Sequence, residues 1–238
     1  MVEAYKKMKP TDLKYKKDND YQNSLECKQL QEWVGPDKRI LEVGCHTADL
    51  GRLLKDNGNY VVGVDYTEDA IEEAKQQIQE AYVINLETET SKIDNLGMFD
   101  VIICNQVFEH LRNSEAVAAK LMKCLNPNGI FIIGLPNICN AKDRFNITWG
   151  QWKYTQIGVM DSTHMRFFSY YSALDFIKNA GLKVDDYHSS WQVNPLWEFF
   201  DHVPLLCKFR NLFNEHKPGR RFSRNATDVV MIFKCSRI

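Results

Sequence analysis

The sequence predicts a doubly wound α/β sheet of seven strands with an antiparallel final strand. Three observations carry that expectation. From about residue 39 onward, short β-rich runs alternate with stretches of helical periodicity. The run Phe99–Cys104 is almost continuously apolar, as expected of a strand covered on both faces. The length, 238 residues, exceeds one small domain without reaching two. Hydrophobic residues make up 44% of the chain and charged residues 26%, a globular balance that allows a substantial core.

Each element has a local reason. Arg39–Val43 is a β-rich run stopped at Gly44; Leu50, Leu53 and Leu54 then form one stripe of a helix ended by Asn57 and Gly58. Tyr60–Asp65 is the second strand, followed by a helix that Thr67 can cap, with Glu68 and Asp69 facing the positive end of the dipole. Ala70, Ala74 and Ile78 share its inner face. Tyr82–Asn85 and Phe99–Cys104 are the third and fourth strands. Ser114 caps a helix carrying Val117, Leu121 and Leu125; Asn126–Gly129 reads as a turn, and Ile130–Leu135 as a fifth strand stopped by Pro136. Ser169 caps a helix through Leu174, Ile177 and Ala180 that Gly181 ends. Leu182–Tyr187 is the sixth strand and Val229–Lys234 the seventh, read as an antiparallel edge because no helical pattern follows it.

Residues 1–35 form an N-terminal extension with a short amphipathic stretch (Leu25, Leu30, Trp33, Val34). Residues 36–238 form the main domain, with long aromatic-rich connections at 137–168 and 190–225 that are read as acceptor-side insertions. Thirty basic residues against thirty-one acidic ones leave a formal charge of −1, which speaks against a nucleic-acid partner. The basic segments Lys6–Lys17 and Lys208–Arg224 read as solvated ends. Seven cysteines without C-x-x-C spacing point to a reducing compartment and no structural zinc. With no apolar leader, and no apolar run longer than Ile130–Leu135, no transmembrane segment is expected and the protein reads as cytoplasmic.

In an open α/β sheet, ligands sit beyond the carboxyl ends of the strands, so those ends carry the chemistry. Glu42, Gly44, His46 and Gly51 surround the loop after the first strand, where Gly44 lets a ligand approach the backbone. His46 and Asp49 stand where a dinucleotide fingerprint needs glycines, which opposes a nicotinamide oxidoreductase. Asp65, 21 residues after Gly44, has the spacing of an acid that accepts hydrogen bonds from both hydroxyls of a ribose, with Tyr66 beside it. Asn85 and Leu86 close the third strand, where an adenine edge would lie.

These motifs resemble the class I S-adenosylmethionine-dependent methyltransferases over about residues 39–188. Leu-Glu-Val-Gly-Cys-His-Thr-Ala-Asp-Leu-Gly (41–51) is similar to their first motif and Val-Val-Gly-Val-Asp (61–65) to their second. Phe-Asp-Val-Ile-Ile-Cys-Asn-Gln-Val-Phe-Glu-His-Leu (99–111) is similar to the fourth, and Leu125–Asn137 to the signature around the fifth strand. The resemblance implies a Rossmann-like methyltransferase sheet and S-adenosylmethionine as cofactor. It places Asn105 and Gln106 beside the sulfonium.

A narrower likeness lies at Trp149–Tyr154 and Gly158–Phe168, where Gly-Val-Met-Asp-Ser-Thr-His-Met-Arg-Phe-Phe resembles sugar O-methyltransferases linked to glycosyltransferases of cell-surface polysaccharide synthesis. That resemblance implies a sugar or glycan acceptor and a glycosyltransferase as partner or fused domain. For an alcohol acceptor a proton must be removed. Two mechanisms stay open: His164 or His110 as general base with Asp161 orienting the imidazole, or Glu109, His110 and His164 holding a divalent ion such as Mg. The second follows from the likeness of Gln106-x-x-Glu109-His110 to the Glu-x-x-Glu-His ligands of ubiquinone-pathway and small-RNA 2′-O-methyltransferases, with Gln106 replacing an acid. Methylation of a small aromatic hydroxyl, or a catalytically silent cofactor-binding domain serving as an assembly partner, are the alternative functions.

Overall fold

The computed structural model describes residues 25–189 and 229–238. Both basic segments, and the connection at 190–225 with its aromatics Trp191, Trp197, Phe199 and Phe200, lie outside the described residues. Along the described chain run α1 (Leu25–Val34), β1 (Arg39–Val43), α2 (Asp49–Asp56), β2 (Tyr60–Asp65), α3 (Glu68–Gln77) and β3 (Glu80–Val83). After a 3-10 segment, Thr90–Leu96, come β4 (Phe99–Asn105), a 3-10 turn at Phe108–His110, α4 (Ser114–Lys123), β5 (Leu125–Pro136), α5 (Ala141–Thr148), α6 (Tyr170–Asn179), β6 (Leu182–Ser189) and β7 (Val230–Arg237).

The seven strands form one mixed sheet in the order β3-β2-β1-β4-β5-β7-β6, with antiparallel pairing among the final strands; β7, expected at an edge, instead lies between β5 and β6, which leaves β6 as the edge. Order reverses between β1 and β4, the switch point at which such sheets bind ligands. β1 pairs in parallel with β2 (Val43 opposite Val64) and with β4 (Val43 opposite Cys104). Among the described residues no helix is long and apolar enough to cross a membrane.

The described residues divide into two compact units: 25–104 with 117–132 and Arg237, and 105–116 with 133–189, 229–236 and Ile238. In the first, Ile40, Leu41, Val61, Val62, Ile71, Phe99 and Ile102 are fully buried, as the near-continuous apolar strands require. In the second, Phe108 and Phe168 meet Phe176 of α6 edge-on at 5.0 and 5.5 Å, and Phe233 packs against Tyr170 and Tyr187.

Ser169 caps α6 through a reciprocal box with Ser172. Thr67 sits at the N-cap of α3 but its side chain makes no capping bond; the preceding Asp65 takes the Thr67 N–H instead, at 2.9 Å. The turn expected at Asn126–Gly129 is absorbed into β5. Gly129 still bends tightly there: a Cβ on it would lie 2.6 Å from Leu125 Cδ1 and 3.0 Å from the Asn126 carbonyl oxygen.

Candidate functional site

In the first unit, the loop leaving β1 is held by backbone bonds: Gly44 and Cys45 both donate to the Val64 carbonyl, at 2.8 and 3.1 Å. Gly44, His46 and Ala48 all have left-handed backbone, with φ of 71°, 48° and 61°. His46 and Ala48 therefore keep a glycine-like path, at about 1–2 kcal/mol each. Asp65 stabilises that path. It is 9% exposed; its Oδ2 accepts the His46 N–H at 3.0 Å and its Oδ1 the Thr67 N–H at 2.9 Å. A carboxylate has about four acceptor positions, so roughly two remain for a ligand.

Glu42 lies buried under the same loop. It accepts a backbone hydrogen bond from Gly51, while its Oε2 has no partner, and burial pushes its carboxyl up to about 8. Gly51, expected to face the cofactor, makes room for this acid: a Cβ there would come within 2.5 Å of Glu42 Oε2, 3.0 Å of Ile78 Cγ2 and 3.3 Å of Val61 Cγ1. Glycine to alanine inside a helix ordinarily gains about 1 kcal/mol. Gly51→Ala should instead lose about 1–2 kcal/mol, because overpacking a core typically costs about 1–3 kcal/mol. Urea unfolding of the two proteins checks this, and an unchanged midpoint would contradict it.

At the ends of β2 and β3, Tyr66 is 69% exposed, while Leu86 is buried. Asn85 spends its Oδ1 on the Glu87 N–H at 2.9 Å, forming an Asx turn. Asp65, an acid with acceptor positions to spare beside the loop after β1, suits the ribose diol of an adenosyl amino acid. The first unit therefore fits S-adenosylmethionine.

The second unit brings together Glu109, His110 and His164: one ligand atom from each lies within 4.8 Å of the others. The 3-10 turn after β4 presents the first two, and the 137–168 connection supplies the third. That connection is clipped to the turn by Met165 and Arg166, whose N–H groups donate to the Glu109 carbonyl at 2.8 and 3.1 Å. The Arg166 guanidinium is itself engaged by Glu115 and the Arg112 carbonyl.

Glu109 is fully buried, neither of its carboxyl oxygens has a side-chain partner among the described residues, and burial pushes its carboxyl up to about 8. His110 Nδ1 lies 3.0 Å from Thr163 Oγ1, and His164 Nδ1 lies 3.0 Å from the Val159 carbonyl. Burial holds both imidazoles below the ordinary histidine range, so they are neutral near pH 7. Two neutral imidazoles and a carboxyl that gives up its proton on metal binding form a donor set suited to a divalent ion, and the same imidazoles can take up a proton. Asp161 reaches His110 through Thr163, whose hydroxyl lies 2.7 Å from Asp161 Oδ1.

Gln106 has left-handed backbone (φ 59°) and a buried Nε2 without a partner. Asn105 tucks its amide oxygen over Gly134, into the space a Cβ there would need. Aromatic rings lead outward from the histidine pair: His164 to Phe167 at 6.2 Å, Phe167 to Trp152 at 5.1 Å, and Trp152 to Tyr154 at 6.4 Å. Trp149, Trp152 and Tyr154 are exposed. Thr163 was missed by sequence reasoning; the Asp-Ser-Thr-His order, which favours a side-chain turn, was the available signal.

A doubly wound sheet with a buried acid at the tip of β2, beside the switch point, has the architecture of the open α/β folds that bind ligands at their strands' carboxyl ends. The chain belongs to the family described as the methyltransferase domain, whose model matches residues 35–165. It is 24% identical over 173 residues to an uncharacterized methyltransferase of Schizosaccharomyces pombe, covering 68% of this chain and 59% of that one. It is 32% identical over 101 residues to a ubiquinone biosynthesis O-methyltransferase of Rickettsia typhi, covering 42% and 41%. The chain thus spans about two fifths to three fifths of the length of these curated relatives. Among solved structures it is similar to magnesium protoporphyrin IX methyltransferase of Synechocystis PCC 6803 with bound SAH (TM-score 0.59, 14% identity, 92% of this chain and 84% of that chain). A methyltransferase of Archaeoglobus fulgidus gives TM-score 0.60 at 15% identity, covering 88% and 93%. At such identity the likeness is one of fold.

Proposed function

We propose that this chain is an S-adenosylmethionine-dependent O-methyltransferase whose acceptor hydroxyl is held and deprotonated at Glu109, His110 and His164. The observation that carries the reading is the fully buried Glu109, its two oxygens without a side-chain partner among the described residues, grouped with two imidazoles that are each tied through Nδ1. Bound at the loop after β1, S-adenosylmethionine supplies an electrophilic methyl, which an acceptor oxygen takes to give a methyl ether and S-adenosylhomocysteine. Asp65 would accept its ribose hydroxyls, Glu42, Gly44 and His46 would surround its amino-acid end, and Tyr66, Asn85 and Leu86 would border its base. A divalent ion held by Glu109, His110 and His164 would lower the acceptor's pKa. Without it, the Nε2 of either histidine serves as base.

For the acceptor we favour a sugar hydroxyl of a cell-surface glycan or its precursor, with a glycosyltransferase as partner. The support is the likeness across 149–168 and the exposed rings of Trp149, Trp152 and Tyr154, whose faces suit a pyranose. A second reading, a small phenolic hydroxyl, draws on the match to ubiquinone biosynthesis O-methyltransferases.

Methyl transfer from labelled S-adenosylmethionine to glycan precursors and to catechols, each with EDTA, Mg or Mn, tests the reading. Metal-dependent labelling of an acceptor oxygen is expected. Binding of S-adenosylhomocysteine with no transfer to either acceptor set would leave the silent-domain alternative standing. Labelling of wild type but not of His164→Ala, unaffected by EDTA, would favour the plain base.

A further inference from the structure

We infer that Thr163 is a positioning residue whose hydroxyl relays the Asp161 carboxylate to His110 and so fixes the imidazole tautomer that leaves His110 Nε2 free for a ligand. The inference deepens the proposed role of Glu109, His110 and His164, and it rests on proton counting. A hydroxyl has one proton to donate, and a carboxylate accepts. Thr163 Oγ1 lies 2.7 Å from Asp161 Oδ1, and the Thr163 backbone N–H donates to the same oxygen at 2.8 Å. The hydroxyl proton is thereby committed to Asp161.

What Thr163 offers His110 Nδ1, at 3.0 Å, is a lone pair, so Nδ1 carries the hydrogen and Nε2 is left as acceptor. His164 reaches the same state by another route. Its Nδ1 lies 3.0 Å from the Val159 carbonyl, which can only accept. Two differently enforced tautomers thus leave an Nε2 lone pair on each histidine of the cluster that includes Glu109. If the Thr163 hydroxyl turned to His110, Nε2 would carry a hydrogen and the cluster would hold a donor where it needs a ligand. The turn that forms the relay also delivers His164, one residue on.

Long-range ¹H–¹⁵N correlation on histidine-labelled, metal-free protein reads the tautomer directly. Wild type and Thr163→Ser should show His110 protonated on Nδ1. Thr163→Val, nearly isosteric, should move the proton toward Nε2 on His110 alone and weaken Mn binding by about 10–100-fold, as loss of a ligand's hydrogen-bond partner does. S-adenosylhomocysteine binding should be unchanged. Asp161→Ala, which frees the Thr163 hydroxyl to donate, should shift the His110 tautomer in the same direction.

An unchanged tautomer and Mn affinity in Thr163→Val would overturn the relay, as would an Asp161→Ala protein still protonated on Nδ1. Because the spectrum needs neither metal nor turnover, a wild type that binds no Mn would defeat the metal reading while leaving the relay to stand or fall by the tautomer. Recovery in Thr163→Ser separates the relay from a loop that has merely come loose.

Discussion

Glu109→Gln should make the metal-free protein more stable at alkaline pH while lowering methyl transfer by about 10²–10³-fold and removing measurable Mn binding. Burial raises the Glu109 carboxyl from an ordinary 4.5 to about 8, with the nearby Asp161 charge adding to the effect. Between those values the folded chain keeps a proton that the unfolded chain gives up, so stability is full below the lower value and falls as pH rises through the upper one. Glutamine has no proton to lose. At pH 9 the variant should therefore exceed wild type by about 2–4 kcal/mol, and the two should converge near pH 4.

Glu42 is also pushed up to about 8, so the variant retains part of the slope. Saturating Mn should reverse the order, because only wild type gains the binding free energy. Thermal melts from pH 4 to 9, with and without Mn, read all of this. Parallel profiles for the two proteins would mean that Glu109 is not buried as an unpaired acid, and the proposed ligand set would lose its carboxylate.

The acid of this cluster was legible in the sequence as a motif position, but its isolation was not. Spacing places Glu109 and His110 after the fourth strand, whereas only the folded chain shows that both Glu109 oxygens lack side-chain partners among the described residues. Thr163 was invisible for a related reason: its partner His110 is 53 residues away, and hydroxyl residues in loops usually serve nearby backbone. Apolar runs located the strands well because burial on both faces leaves few polar positions, as in Phe99–Cys104. Boundaries were weaker. Asn126–Gly129 carries turn residues, yet ladder bonding draws it into β5 while Gly129 absorbs the bend. Left-handed backbone at His46 and Ala48 could not be read from residue types that ordinarily avoid it. Gly51 stood in a glycine motif, and its purpose emerged only with Glu42 packed against it.

Asp65→Ala should weaken S-adenosylhomocysteine binding by about 100-fold or more, the largest effect expected in the first unit. Two losses combine. The side chain would accept the ribose hydroxyls, and hydrogen bonds to a charged group contribute about 1.5–3 kcal/mol each. The same carboxylate holds the His46 and Thr67 N–H groups, one in the left-handed loop after β1 and the other at the head of α3. Alanine leaves both donors without their acceptor and releases a loop whose backbone is already strained, so the free protein should also lose about 1–3 kcal/mol.

Asp65→Asn separates the two contributions. Its amide oxygen can still accept one backbone N–H, but its NH₂ faces the other donor and cannot accept the ribose. It should fall between alanine and wild type in stability while binding almost as poorly as alanine. Calorimetric titration with S-adenosylhomocysteine, paired with urea unfolding of the free proteins, distinguishes these outcomes. An alanine variant that binds within threefold of wild type would place the ribose elsewhere and remove the acid on which the cofactor assignment rests. If both variants lose stability while affinity holds, Asp65 is a loop clamp alone, and the remaining acceptor positions on its carboxylate serve solvent.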